Sequence, residues 1–225
     1  MSKLIRASRL KQLHERCGWP AQDGATCDRR LAEFMFRNLE GSDYAAAGYG
    51  SIEDVVNGDI AMLRRYGGDP GSDVHLGAVL GLSGLEAFLV WYALHAGGPE
   101  LLPPGYRERR ALTDDCTRAE IAYGDWLIVD GSSRARGLGG MLFAIMLDDM
   151  ARAGYRYWYG RTVVPDHREL YEKLYRRKGR AELLGEWEDG PVTRIGFLGD
   201  LRGGWTRTLL ESTSRDAPGT VTLDS

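Results

Sequence analysis

The chain has 225 residues, of which 43% are hydrophobic and 27% charged, and its formal net charge is -3. That length and composition fit one core-bearing domain with embellishments, and the lack of a basic excess argues against nucleic acid as a partner. The longest apolar stretch, Leu85 to Ala96, is interrupted by Glu86 and His95 and is too short to span a bilayer, so no membrane is expected either.

The basic, polar-interrupted start Met1–Leu13 lacks the apolar core of a signal peptide. Cys17, Cys27 and Cys116 form no C-x-x-C pair, and His14, His75, His95 and His167 have no zinc-ligand spacing. Free thiols, a cytoplasmic setting and no metal follow as expectations.

Residues 1 to about 45 read as helical pieces, with Leu4, Ile5, Leu10 and Leu13 spaced for one helix and Leu31, Phe34, Met35 and Phe36 for another. Ser51 with Asp54 reads as an N-cap opening a helix from Ile52 towards Tyr66. The turn cluster Gly67-Gly-Asp-Pro-Gly71 separates an N-terminal helical region, 1–70, from a core over 71–205 within the same domain.

Val74–Leu82 and Leu85–His95 read as strands around Ser83-Gly84, with a helix as the alternative for the second. Strands at Arg110–Leu112 and Glu120–Val129 follow. Met141–Ala153 repeats apolar residues at i, i+3 and i+4 and stops at Gly154, which predicts a helix. Tyr155–Val164 reads as a strand ended by Pro165. Asp166 with Glu169 opens a helix over His167–Lys178, ended by Gly179. Ala181–Trp187 and Val192–Leu198 read as a closing hairpin, and the polar tail 212–225 as disordered. The segment Arg168–Arg180 is strongly basic, which suits either a solvated helix face or an approach path for an anion.

The chemistry-bearing feature is Val129-Asp-Gly-Ser-Ser-Arg134-Ala-Arg-Gly137-Leu-Gly139-Gly140, between a strand and a helix. A glycine-rich turn there gathers backbone N–H groups and the positive end of the helix dipole on one point, which suits a phosphate or pyrophosphate. The glycine spacing is not that of a P-loop, since no Gly-Lys-Ser/Thr follows. It is not the dinucleotide fingerprint either, because Leu142 stands at the third glycine position.

Arg134-Ala-Arg-Gly137-Leu-Gly139 resembles the acyl-CoA-binding motif of the GNAT superfamily of N-acetyltransferases, Arg/Gln-x-x-Gly-x-Gly/Ala. Val129-Asp130 stands where that family has Val-Asp-Pro-Glu, with Gly131-Ser132 in place of Pro-Glu. Downstream, Leu174-Tyr175-Arg-Arg-Lys-Gly179-Arg180 is similar to the family's Leu-Tyr-x-x-x-Gly-Phe, with Arg180 for Phe, and Arg168 replaces a customary Asn. The resemblance covers roughly residues 70 to 200.

It implies an α+β fold with a mixed, mostly antiparallel sheet flanked by helices, and acetyl transfer from acetyl-CoA, the co-substrate, to a primary amine of a small molecule. The main chain of Leu127, Ile128 and Val129 would hold the pantetheine arm. Arg134, Ala135, Arg136, Gly137, Leu138, Gly139 and Gly140 would form the pyrophosphate turn.

Tyr175 would be the general acid that protonates the thiolate, with Tyr171 as runner-up, and a main-chain N–H near Leu127 would stabilise the oxyanion. For the base, the carboxylates on the preceding strand are Glu120 and Asp125, with Glu120 ranked first. Alternation puts them on opposite faces, so one at most points into a site. Aromatic residues between about 20 and 110 (Phe34, Phe36, Tyr44, Tyr49, Trp91, Tyr92) allow an apolar acceptor. Other readings are a longer acyl-CoA or an acyl carrier protein as donor, and a non-catalytic acyl-CoA-binding regulatory module. A homodimer is compatible with all of them.

Overall fold

In the computed structural model the described residues are 2–19, 24–39, 50–68, 74–94, 120–163, 172–216 and 221–223. The strand expected at Arg110–Leu112, the start of the helix expected at His167, Tyr171, Arg168, His95, Tyr44 and Tyr49 lie outside them. The chain divides into two compact units. One comprises Met1–Trp91, Trp126–Gly139 and Asp216–Ser225, and the other Tyr92–Asp125 and Gly140–Arg215.

In the first unit, strand β1 (Ser2–Ala7) pairs antiparallel with β2 (His75–Gly81), and β2 pairs antiparallel with β3 (Gly84–Ala93). The short β8 (Val221–Leu223) adds in parallel to β1. Leu82-Ser83 closes the β2–β3 hairpin, and Gly84, at φ 121°, takes the backbone sign that a side chain would resist.

The first expected helix is therefore two elements. Leu4 and Ile5 are buried in β1, and the helix α1 begins only at Leu10 and runs to Arg16. The ladder from Lys3↔Leu80 to Ala7↔Leu76 supplies backbone partners from 69 to 77 residues away, which local apolar spacing does not reveal.

Helix α2 (Gly24–Leu39) turns Leu31, Met35 and Leu39 inward, and its Phe34 is buried too. After an N-cap at Ser51, whose hydroxyl accepts from the Asp54 N–H at 3.2 Å, come α3 (Ile52–Val55), a π-helical turn (Val56–Ile60) and α4 (Ala61–Gly68). A buried polar group joins these helices. Asp28 lies 3.4 Å from His14 Nε2 and pairs with Arg64, while burial holds the His14 pKa below its ordinary value.

In the second unit, β4 (Ile121–Val129, as far as Asp125) pairs in parallel with β5 (Tyr157–Val163). Strand β5 continues antiparallel against β7 (Val192–Asp200), and β7 against β6 (Ala181–Asp189). Helix α5 (Leu138–Arg152) follows the glycine turn. Most of its length is buried, including Leu142, Phe143, Ile145, Met146 and Met150, and Gly154 at φ 91° ends it.

Trp158, fully buried, belongs to an aromatic group in which Tyr175 meets Phe143, Trp158 and Phe197, with ring centroids 5.0–5.4 Å apart. Its indole N–H donates to the Gly179 carbonyl at 2.8 Å. Where an α-helix over His167–Lys178 is expected, the described part, Glu172–Lys178, is a π-helical turn, closed by Gly179 N–H to the Leu174 carbonyl at 3.0 Å.

The tail is a correction too. Residues expected to lack structure from Ser212 onward continue helix α6 (Trp205–Asp216). Trp205 and Leu210 are buried and Gly203 and Gly204 (φ 89° and 70°) set the entry, so the helix is held by packing rather than propensity. No helix among the described residues is long and apolar enough to cross a membrane.

Candidate active site

The glycine turn is held in the first unit. Asp130 N–H donates to the Glu86 carbonyl at 2.8 Å, and the Asp130 carboxylate caps the short 3₁₀ turn Gly131–Arg136 by accepting from Ser132 N–H at 3.0 Å. The Ser132 hydroxyl, 2.6 Å away, also donates to it, and these bonds hold Asp130 below the usual carboxylate pKa.

Asn38 Oδ1 accepts from Gly131 N–H at 3.2 Å, and Arg37 reaches Asp130 at 3.1 Å. Gly137 sits in the left-handed region (φ 72°), so the chain reverses there into α5. The two arginines have intramolecular roles. Arg134 Nε donates to the Val129 carbonyl at 3.3 Å, and Arg136 pairs with Glu86 at 2.7 Å. Glu86, which sequence reasoning passed over as an interruption in an apolar run, thus fixes the turn from β3 by both its carbonyl and its carboxylate.

The first turn of α5 carries two glycines, Gly139 and Gly140, which present no side chain. A methyl carbon built on Gly139 would lie 3.6 Å from Val129 Cγ2, an ordinary contact. In the second unit, one built on Gly140 would lie 3.3 Å from Lys178 Nζ. Lys178 therefore places an ammonium group at the positive end of a 15-residue helix, an arrangement that an intervening anion stabilises.

The β4–β5 ladder ends at Gly124↔Gly160, although β4 continues to Val129 and β5 to Val163. The two faces of the second unit's sheet differ at that point. A Cβ on Gly124 would touch Met146, and one on Gly160 would meet Trp158 at 3.0 Å and Tyr175 at 3.8 Å. Gly124, Gly160 and Tyr175 therefore share the face covered by α5.

On the opposite face stand Tyr123, Asp125, Tyr159 and Arg161. The rings of Tyr123 and Tyr159 stack at 5.5 Å, and Tyr92 meets Tyr123 edge-on at 5.4 Å. The Tyr92 hydroxyl donates to Asp125 Oδ2 at 3.2 Å, and Arg161 Nε donates to the Tyr123 hydroxyl at 3.1 Å. Burial pushes the Asp125 pKa up to about 6 against the opposing pull of Arg161 and the hydroxyls of Tyr123 and Tyr92.

Glu120 is placed differently. It precedes β4, accepts from Arg156 Nη1 at 2.6 Å through its carboxylate and from Arg156 N–H at 3.0 Å through its carbonyl. Five residues along a strand separate it from Asp125, about 16 Å.

Tyr92 stands among the aromatics the sequence reading offered for the acceptor, whereas Tyr123, Tyr159 and the Arg161 cation are functional candidates it did not select. The signal available for them is the alternation Tyr123-x-Asp125 and Tyr159-x-Arg161, which puts charge on the inward face of two otherwise apolar strands. His75 stacks flat on Trp91 at 3.7 Å, opposite it in the β2–β3 register. Among the described residues no group of His, Cys, Asp and Glu could hold a metal ion.

No protein-family model matches the sequence, and no curated protein matches it. Solved structures do share the fold. A structure assigned as an acetyltransferase of the GNAT family, from Desulfovibrio desulfuricans, aligns at TM-score 0.52 with 14% identity over 89% of this chain and 99% of its own. The CoA-dependent acyl-homoserine lactone synthase BjaI aligns at TM-score 0.57 with 12% identity over 100% and 93%. AAC(6')-Ib, in complex with paromomycin and acetyl-CoA, aligns at 0.53 with 12% identity over 92% and 97%. The architecture is thus the GNAT-like α+β fold, with its mixed, mostly antiparallel sheet flanked by helices.

Proposed function

We propose that the protein is an acyltransferase that moves an acyl group from acyl-CoA to a primary amine of a small molecule. The observation that carries this reading is the glycine turn at the start of α5. Its left-handed Gly137 and side-chain-free Gly139 suit close backbone approach to a pyrophosphate. The N–H groups of Arg136, Gly137, Leu138, Gly139 and Gly140 take the phosphate oxygens, with Arg134 and Ala135 completing the turn. The main chain of Leu127, Ile128 and Val129, in the part of β4 beyond its last pairing with β5, takes the pantetheine arm. Proteins of this fold solved with acetyl-CoA or isopentyl-CoA are in keeping with such a donor.

The chemistry is divided between the two faces of the sheet. The amine attacks the thioester carbonyl carbon and its proton passes to Asp125, chosen over Glu120 because Asp125 has a raised pKa and Glu120 is engaged by Arg156. An N–H near Leu127 stabilises the oxyanion. As the C–S bond breaks, Tyr175 protonates the thiolate from the α5 face.

The test is calorimetric titration with acetyl-CoA of the protein and of Gly139→Asp. Because a Cβ at 139 meets only an ordinary contact, the variant keeps its fold and loses acetyl-CoA binding through intrusion and charge repulsion. Equal affinity in both proteins rules out the turn as the donor site. Binding without turnover on any amine favours the non-catalytic module.

A further inference from the structure

The acceptor face of the second unit holds two opposite charges that do not satisfy each other. Asp125 and Arg161 are each the first residue past the last paired residues, Gly124↔Gly160, on adjacent parallel strands. Their side chains therefore project from the same face. Yet among the described residues no ion pair joins them. Asp125 is held by tyrosine hydroxyls, from Tyr92 at 3.2 Å and from Tyr123.

Arg161, with only 17% of its side chain exposed, spends Nε on the Tyr123 hydroxyl. Its nearest carboxylate oxygen, Asp189 Oδ2, is 3.8 Å from Nη1 and is taken more closely by Arg194 Nε. A largely buried guanidinium thus has its terminal N–H fork without a carboxylate at hydrogen-bonding distance among the described residues. Burying a cation this way is costly unless a partner arrives.

We infer that the acceptor is a small zwitterion, a free amino acid or close analogue, whose amine docks at Asp125 and whose carboxylate is taken by the Arg161 fork. The inference rests on the acyltransferase reading and deepens it. In an α-amino acid the two charged groups are one carbon apart, which suits a carboxylate and a guanidinium on neighbouring strands. The planar fork binds a carboxylate through two parallel hydrogen bonds, and the bond from Nε to Tyr123 fixes the orientation of that plane. Other groups around Asp125 are the rings of Tyr92, Tyr123 and Tyr159 and the cations Arg161 and Arg194. Among the described residues the carboxylates acting on Arg161 are Asp189 and Asp125 itself. The ammonium ion would reach Asp125 charged and give up its proton there as attack begins.

The experiment compares each of the common L-amino acids with its own amide, the same amine without the anionic group, by CoA-thiol release from acetyl-CoA. The carboxamide makes the amine less basic, so near neutral pH a larger share of the amide is unprotonated and ready to attack, and recognition of the carboxylate reverses the order. We expect at least one acid to exceed its amide in kcat/KM by tenfold or more. Arg161→Gln then raises that acid's KM by about tenfold to a hundredfold, the range of a charge-assisted hydrogen-bond pair, and erases its advantage over the amide. Arg161→Lys restores part of it, which separates recognition from loss of fold.

Amides or simple alkylamines that serve the unaltered protein as well as the acids overturn the inference and leave the acyltransferase reading standing. If no amine is turned over, calorimetric titration of the CoA-loaded protein with the same amino acids decides, and binding by none of them overturns it. A protein that binds no acyl-CoA overturns the donor reading and this one with it.

Discussion

Replacing Asp125 with Asn should stabilise the protein and silence it, and the stabilisation should depend on pH in a specific way. Burial moves this carboxyl from an ordinary 3.8 to about 6. Raising a carboxyl's pKa means that the folded chain binds the proton more tightly than the unfolded chain. Stability is therefore lost as pH rises from about 4 to about 6, and the loss persists above that. Integrated over proton binding, the penalty is about 3 kcal/mol at pH 8 and about 1 kcal/mol at pH 4.5.

Asn carries no charge at either pH and can still accept from the Tyr92 hydroxyl through its side-chain oxygen. Asp125→Asn should thus gain up to about 3 kcal/mol at pH 8, roughly 6–12 °C in Tm for a chain of this size, and about a third of that at pH 4.5. Thermal melts at the two pH values measure it. A gain that is equal at both, or destabilisation at both, refutes the account of Asp125 as a desolvated carboxylate.

The same residue governs rate. In the unaltered protein kcat/KM should rise tenfold per pH unit below about 6 and then level off, at the same pH for acceptors of differing amine basicity, and Asp125→Asn should cost about 10²–10⁴-fold. Glu120→Gln, which removes the charge paired with Arg156, should leave that inflection in place.

Two further changes probe the opposite face. Tyr175→Phe keeps the ring contacts with Phe143, Trp158 and Phe197, so acetyl-CoA affinity should be unchanged while kcat falls; an unchanged kcat removes Tyr175 from the mechanism. Gly199→Ala should destabilise severely, because the added carbon would lie 2.0 Å from Trp158 Nε1 and 2.7 Å from the Gly179 carbonyl, with no flexible side-chain end to yield. A loss below about 1 kcal/mol in chemical denaturation contradicts the packing described around Trp158.

What the sequence made legible was whatever depended on local order. The glycine turn, the strand before it, the apolar repeat of α5 and the hairpin across Gly190-Pro191 all follow from residues within one element and its neighbours. The β1 strand did not, because Leu4 and Ile5 satisfy a helical spacing as well as a buried strand, and only pairing with β2 decides. Helix α6 was hidden in the same way, by a polar sequence whose few apolar residues, Trp205 and Leu210 among them, find their cover elsewhere in the chain.

The site divides along that line too. The proposed donor turn is a run of twelve consecutive residues, and its glycines alone suggested a phosphate or pyrophosphate. The proposed acceptor face is assembled from Tyr92, Tyr123, Asp125 and Arg161, on three strands, and depends on where one ladder stops. Alternation established that Glu120 and Asp125 face opposite ways but not which way was inward. The register Tyr123↔Tyr159 sets two aromatic rings on the face of Asp125, and Arg156 pairs with Glu120, which is why the proposed mechanism uses Asp125. A carboxylate kept beside tyrosines and short of a direct cation costs stability at neutral pH. A chain selected for stability alone would put Asn there, so the retained charge is itself an argument that position 125 handles a proton.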